Sequence, residues 1–134
     1  LPKLYLAYKT ELGKVSGTVL NNIRERFESG DAVTVNTLTE IANLADEGKE
    51  VIQKKDFSGL SKLINKNFDL RCKIMNISES NMEMVKVARD CGASAKFSGS
   101  GGAIIGMYDD DEMLRKLIVN LKNINARVIK PYII

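Results

Sequence analysis

Apolar positions change period several times along the chain, and each change marks an element. Leu4-Tyr5-Leu6-Ala7-Tyr8 is a short continuous apolar run, so a mostly buried strand is expected over residues 3–9. Residues 11–17 read as a polar loop. Val19, Ile23 and Phe27 then recur at four-residue spacing and predict a helix that stops at Gly30-Asp31. Thr37-Leu38-Thr39-Glu40 has the form of a capping box, and the stripe Leu38, Ile41, Leu44, Ala45, Val51 and Ile52 predicts the helix behind it. Gly48 weakens that helix by roughly 1 kcal/mol relative to Ala, or admits a close neighbour. A third helix is expected from Asp56 or Ser58 to about Met75, on a stripe of Leu60, Leu63, Ile64, Leu70 and Ile74. Asn67 interrupts this stripe, so it is either a bonded structural amide or faces a site. Ser80-Asn81-Met82-Glu83 reads as a second capping box, opening a helix that uses Val85, Ala88 and Cys91 and stops at Gly92 as its C′ glycine.

Two apolar runs, residues 94–98 and 103–108, read as strands around a loop of glycine and serine. Asp109-Asp110-Asp111-Glu112 then opens a helix with the stripe Met113, Leu114, Leu117, Ile118 and Leu121. Carboxylates complement the positive end of a helix, which accounts for the acidic run without a metal. Residues 127–133 form a closing strand. The order β-α-α-α-α-β-β-α-β, with a hairpin inside it, predicts an α+β sandwich: an antiparallel sheet with helices packed on one face. No repeat, low-complexity segment or linker interrupts residues 1–134, so a single domain is expected.

Composition narrows the function more by exclusion than by indication. The 134 residues are 44% hydrophobic and 28% charged, ordinary for a globular protein with a real core. A net charge of +3 without a dense Lys/Arg run argues against nucleic-acid binding. No apolar run approaches the ~20 residues that span a bilayer, and no signal peptide is seen, so a cytoplasmic location is expected. Cys72 and Cys91 are expected to be reduced, and Asn76-Ile77-Ser78 is a chance sequon match. Histidine is absent, which removes histidine-based triads, metal sites and general bases together. No metal site is expected within the chain. It begins Leu1-Pro2 and enters a strand at once, as expected of a domain cut from a longer product.

The chemistry concentrates in Ser98-Gly99-Ser100-Gly101-Gly102, where three glycines and two serines occupy five residues. Glycine tolerates positive φ and lets backbone N–H groups approach a ligand, so a phosphate or a polar substrate group is the natural occupant. A tight strand-to-strand turn would collect the same residues. The loop lacks the G-x-x-x-x-G-K-[ST] of a P-loop, and it enters a strand rather than the helix a dinucleotide fingerprint needs.

Lys96-Phe97-Ser98-Gly99-Ser100-Gly101-Gly102-Ala103 resembles the third conserved motif of the GHMP kinases, Lys-x-Ser/Thr-Gly-Ala/Ser-Gly-Gly-Gly/Ala, which lies in their C-terminal domain. That superfamily includes galactokinase, homoserine kinase, mevalonate kinase and phosphomevalonate kinase. Asn65-Lys66-Asn67-Phe68-Asp69-Leu70-Arg71, Asn81-Met82-Glu83-Met84-Val85-Lys86-Val87-Ala88-Arg89 and the opening Leu1-Pro2-Lys3-Leu4-Tyr5-Leu6 resemble its glucuronokinase branch. Ser16-Gly17 followed by Val19, Arg24, Arg26 and Gly30-Asp31 fits as well, so the resemblance covers the whole chain in order. Thr18 and Leu20 depart from it, standing where that branch carries Lys and His.

The resemblance implies a ferredoxin-like C-terminal domain of a sugar kinase that uses ATP and Mg²⁺ to phosphorylate C1 of glucuronic acid. It implies a partner, an N-terminal domain of the same parent carrying the main ATP phosphate loop and most candidates for metal and base. No catalytic residue is assigned here, and the chain alone is expected to be inactive. By position, Ser98, Gly99, Ser100, Gly101 and Gly102 would line the cleft near the transferred phosphate. Arg24, Arg26, Asn67 and Lys96 are possible substrate-binding residues, since arginine suits the carboxylate of a sugar acid. Arg24 and Arg26 lie on different faces of their helix, and a surface role fits each as well. A galactokinase- or mevalonate-type kinase, and a non-catalytic ligand-binding module on the same scaffold, are the alternatives.

Overall fold

The computed structural model describes residues 2–9 and 16–132, with the backbone alone for 16–20. The elements run β1 (Leu4–Tyr8), α1 (Ser16–Glu28), α2 (Ala32–Gln53), α3 (Phe57–Arg71), α4 (Glu79–Asp90), β2 (Lys96–Phe97), β3 (Ala103–Met107), α5 (Asp111–Lys122) and β4 (Arg127–Ile129). This is the expected order, in an α+β fold. Most of the loop expected over residues 11–17 lies outside the described residues, as do the side chains of Thr18, Val19 and Leu20; the last strand, expected over 127–133, stops at Ile129, ahead of Pro131.

The four strands form one antiparallel sheet in the order β2-β3-β1-β4. Alternation sets its two faces. Tyr5 lies opposite Gly106, and Ala7 opposite both Ile104 and Val128. Tyr5, Ala7, Phe97 and Ile104 are buried together with Phe68 of α3, Met84, Val85 and Ala88 of α4, and Leu117 and Leu121 of α5. Phe68 and Phe97 meet edge to face, with centroids 5.2 Å apart; such a pair adds about 0.5–1.5 kcal/mol beyond area burial. Gly106 leaves room for the chain entering β2: a Cβ there would stand 1.7 Å from the Ser94 carbonyl oxygen. The Tyr5 hydroxyl donates to that same oxygen at 2.6 Å, and burial pushes its pKa up.

Two helix starts differ from the sequence reading. Gly30, at φ +79°, ends α1, and the Asp31 side chain at once accepts the N–H of Thr34, so α2 begins at Ala32. Thr37, read as a cap, is instead buried within α2. In α4 the cap is Ser78, whose hydroxyl accepts from the Asn81 N–H, and Ser80 and Asn81 lie inside the helix. The Gly92 stop of α4, at φ +94°, and the acidic start of α5, with Asp110 capping Met113, lie where expected. The apolar stripes are wider than the surface they bury, which leaves Phe27, Ile52 and Ile118 about half exposed. No helix among the described residues is long and apolar enough to cross a membrane.

Candidate functional site

Strands β2 and β3 form a hairpin whose connection is the glycine-serine loop. Its base is closed by the Ser98 N–H donating to the Ala103 carbonyl, 3.1 Å. Gly101 and Gly102 take φ values of +148° and +81°, a backbone that side chains with a Cβ rarely adopt. The turn and the ligand-facing readings diverge at the crest. The N–H groups of Gly99, Ser100 and Gly101, and the hydroxyls of Ser98 and Ser100, bond no acceptor among the described residues. Successive free N–H groups on a glycine loop form the kind of concavity that receives oxyanions.

Three other elements hold this crest in place. From α4, Asn81 Oδ1 accepts the Gly102 N–H at 2.9 Å. From the end of α3, Arg71 Nη1 donates to the Gly99 carbonyl at 2.8 Å. From the end of β1, the Lys9 N–H donates to the Gly102 carbonyl at 3.1 Å. The Lys9 side chain is buried and turns to α4, donating to Ser80 Oγ at 2.9 Å and pairing with Glu83 at 3.3 Å. Thus Ser80, Asn81 and Glu83, which resemble a capping box, instead serve the strand end and the loop.

The run around Asn67-Phe68-Asp69-Leu70-Arg71 secures the approach to the loop. Asn65 Oδ1 accepts the Ala95 N–H at 2.9 Å, just before β2. Phe68 meets Phe97. Asp69 pairs with Arg89 at 2.9 Å, and the Arg89 guanidinium lies 5.3 Å above the Phe68 ring. Asn67 sits one turn before Arg71, its Oδ1 buried with no hydrogen-bond donor among the described residues. Lys96 is half-buried, and its Nζ donates to the Phe97 carbonyl at 2.9 Å. Burial pulls its pKa down, and the Arg71 charge adds to this; burial lowers Arg71 as well.

The structure thus brings Lys96 and Ser98–Gly102 together with Arg71. It gives Arg24 and Arg26 other partners. Arg24 pairs with Glu28 on the exposed side of α1 at 3.0 Å. Arg26 donates to the Ile74 carbonyl, beside an open pocket of about 320 Å³ that Asn22, Lys73 and Asn76 help to line. Neither arginine donates to the loop among the described residues. Sequence reasoning missed Lys9, Arg71 and Asn81 as loop contacts. Arg71 stands in a motif run, but its spacing gives only a cation in the last turn of a helix.

No group of three His, Cys, Asp or Glu side chains that could hold a metal ion occurs among the described residues. Both cysteines are free thiols, and burial raises the pKa of each.

Residues 49–125 match the family model described as GHMP kinases C terminal. A probable glucuronokinase 2 of Arabidopsis thaliana is 45% identical over 134 residues, which is 98% of this chain and 36% of that protein. Glucuronokinase 1 of the same plant is 41% identical over 108 residues, 78% of this chain and 30% of that protein. The chain therefore spans about a third of the length of these relatives. In fold it matches L. major mevalonate kinase, solved in complex with R-mevalonate, with a TM-score of 0.82 at 18% identity, over 100% of this chain and 44% of that one. It also matches a Listeria innocua protein with a TM-score of 0.81 at 19% identity, over 96% and 38% of the two chains.

Proposed function

This chain belongs to the GHMP kinases, and from that premise we propose that it is the C-terminal domain of a glucuronokinase, a parent protein that transfers phosphate from ATP to C1 of glucuronic acid. The observation that carries the reading is the glycine-serine loop, where three successive backbone N–H groups and two hydroxyls bond no acceptor among the described residues. The curated relatives are glucuronokinases at 41–45% identity, which favours this acceptor over galactose or mevalonate. The mevalonate kinase likeness, at 18% identity, speaks to the fold alone.

Phosphoryl transfer needs little covalent chemistry from the protein; positioning and charge stabilisation do most of the work. In this reading the Gly99, Ser100 and Gly101 N–H groups and the two serine hydroxyls are ready-made donors to phosphate oxygens. Lys9, Arg71 and Asn81 fix those donors in advance, so no reorganisation is needed when charge develops. ATP with Mg²⁺, when bound in the parent, would supply the phosphoryl group and offset its charge. A second domain in the parent would carry the metal ligands and the main ATP loop. The soluble parent would act in the cytoplasm.

ADP release by the full-length parent, with glucuronic acid, galactose and mevalonate as separate acceptors, tests the assignment. Turnover with glucuronic acid alone is expected. Turnover with another acceptor only would overturn the substrate and keep the kinase. Absence of turnover with all three would turn the reading towards a ligand-binding module.

A further inference from the structure

Arg71 and Lys96 each bond the backbone at the foot of the loop, and no carboxylate lies within ion-pairing distance of either among the described residues. The neighbouring acids are committed elsewhere: Asp69 to Arg89, and Glu83 to Lys9. Each cation is half-buried and has one contact of its own, Arg71 to the Gly99 carbonyl at 2.8 Å and Lys96 to the Phe97 carbonyl at 2.9 Å. Those contacts use one donor on each side chain. A guanidinium carries five N–H donors and an ammonium three, so most of the donors remain unused.

Two like charges on one loop, each partly removed from water, repel each other and lose hydration unless an anion joins them. The protein supplies none from its own described side chains. It instead sets both cations on the backbone of the loop and its entry, at the Gly99 and Phe97 carbonyls. Arg89 makes the contrast. It lies on the neighbouring surface of α4, and its charge is answered by Asp69 and by the Asn65 carbonyl at 3.0 Å.

We propose that Arg71 and Lys96 form an oxyanion subsite flanking the glycine loop, which takes a carboxylate or phosphate group of the kinase's ligands. Arg71 is the specificity-determining member, because its planar fork can grip two oxygens of one anion while Nη1 stays on Gly99. Lys96 contributes a point charge. The inference rests on the kinase reading for the identity of the ligands, and on the geometry alone for the existence of the subsite.

Isothermal titration of the full-length parent with sodium glucuronate and, separately, with ATP tests it, at low and at high salt. Arg71→Gln removes the charge but keeps an N–H donor for the Gly99 carbonyl. Lys96→Met removes the second charge. Each variant is expected to weaken one ligand by about tenfold or more, to leave the other within about twofold, and to flatten the salt dependence of the weakened one. Arg71→Lys should recover part of the loss. Loss on glucuronate assigns the acceptor carboxylate, and loss on ATP assigns the phosphate; either supports the subsite. Unchanged affinities overturn it. So does equal weakening of both ligands with an unaltered salt dependence, which is the mark of a slackened loop. Should Arg71→Gln fail to fold, Lys96→Met decides on the same criteria. A wild-type parent that turns over no glucuronate counts against the kinase reading, and the ATP titration then decides the subsite. Wild-type turnover with unmoved constants in both variants sinks the subsite alone.

Discussion

Replacing Gly101 by alanine should separate the loop's function from the stability of the fold. Gly101 has φ +148°, so any Cβ there is strained. Holding a non-glycine residue in such a region costs about 1–3 kcal/mol. The added methyl would also stand 3.1 Å from Asn81 Nδ2, forcing that amide to give way. The amide's other end accepts the Gly102 N–H at 2.9 Å, and the bond is worth about 0.5–1.5 kcal/mol net. Together these terms oppose the present loop conformation by roughly 1.5–4.5 kcal/mol. Ser98 and Gly99 are exposed in the loop, so the loop can relax into solvent without unfolding the sheet beneath it. The penalty should therefore appear in catalysis more than in melting. In the full-length parent, kcat/KM for glucuronate should fall about tenfold or more, since each tenfold is about 1.36 kcal/mol. Gly48→Ala in α2 is the control: it lies outside the loop, and nothing lies within 4 Å of its added Cβ. A Gly101→Ala enzyme within about threefold of wild type would refute the claim that this backbone geometry serves the reaction.

Gly106→Ala should have the opposite character: its Cβ would meet backbone at 1.7 Å, so loss of soluble protein or destabilisation beyond about 4 kcal/mol is expected, and an unchanged melting temperature would contradict the packing described. Gly48→Ala should stabilise, because the site is helical and open; a rise of about 0.8–1.0 kcal/mol, read as a higher melting temperature, is the expected result. Asp31 caps α2, and the Thr34 hydroxyl and N–H hold its pKa below the ordinary carboxylate value. Its contribution is present above the unfolded-state pKa of about 3.9 and is lost as pH falls through the lower folded value, so the gap in melting temperature between wild type and Asp31→Ala should narrow on acidification. This chain by itself should release no ADP with ATP and glucuronate, and turnover by it would show that the phosphate-transfer machinery is complete within these residues.

What could be read from the sequence divides along a physical line. Elements follow from local periodicity, and β1, the β2–β3 hairpin and α5 declared themselves by runs, alternation and charge at a helix start. The Gly-Ser loop was legible for the same reason, since positive φ at Gly101 and Gly102 demands glycine locally. Helix starts were less legible. Ser, Thr, Asp and Asn can all cap, and in Ser78-Glu79-Ser80-Asn81 the sequence offers three candidates within four residues. Which one caps depends on what else competes for the side chains.

That competition explains why the loop was visible and its supports were not. Lys9, Arg71 and Asn81 come from three elements, at sequence separations from the loop that carry no period. They meet only because β1 pairs with β3 while α3 and α4 pack beside the hairpin. Each has an ordinary local reading as a strand-end lysine, a last-turn arginine or a first-turn asparagine. Lys9 nevertheless surrenders its solvation to bond Ser80 and Glu83, and Asn81 turns its amide to Gly102 rather than to the helix end. Arg24 and Arg26 show the converse. Their type suited an acidic ligand, yet Glu28, a helical turn away, answers the charge of Arg24, and Arg26 is drawn away from the loop to the Ile74 carbonyl. A cation's chemistry is thus set less by its residue type than by whether the fold has already supplied its counter-charge. By that criterion, Arg71 and Lys96 are, among the described residues, cations at the loop still open to a ligand.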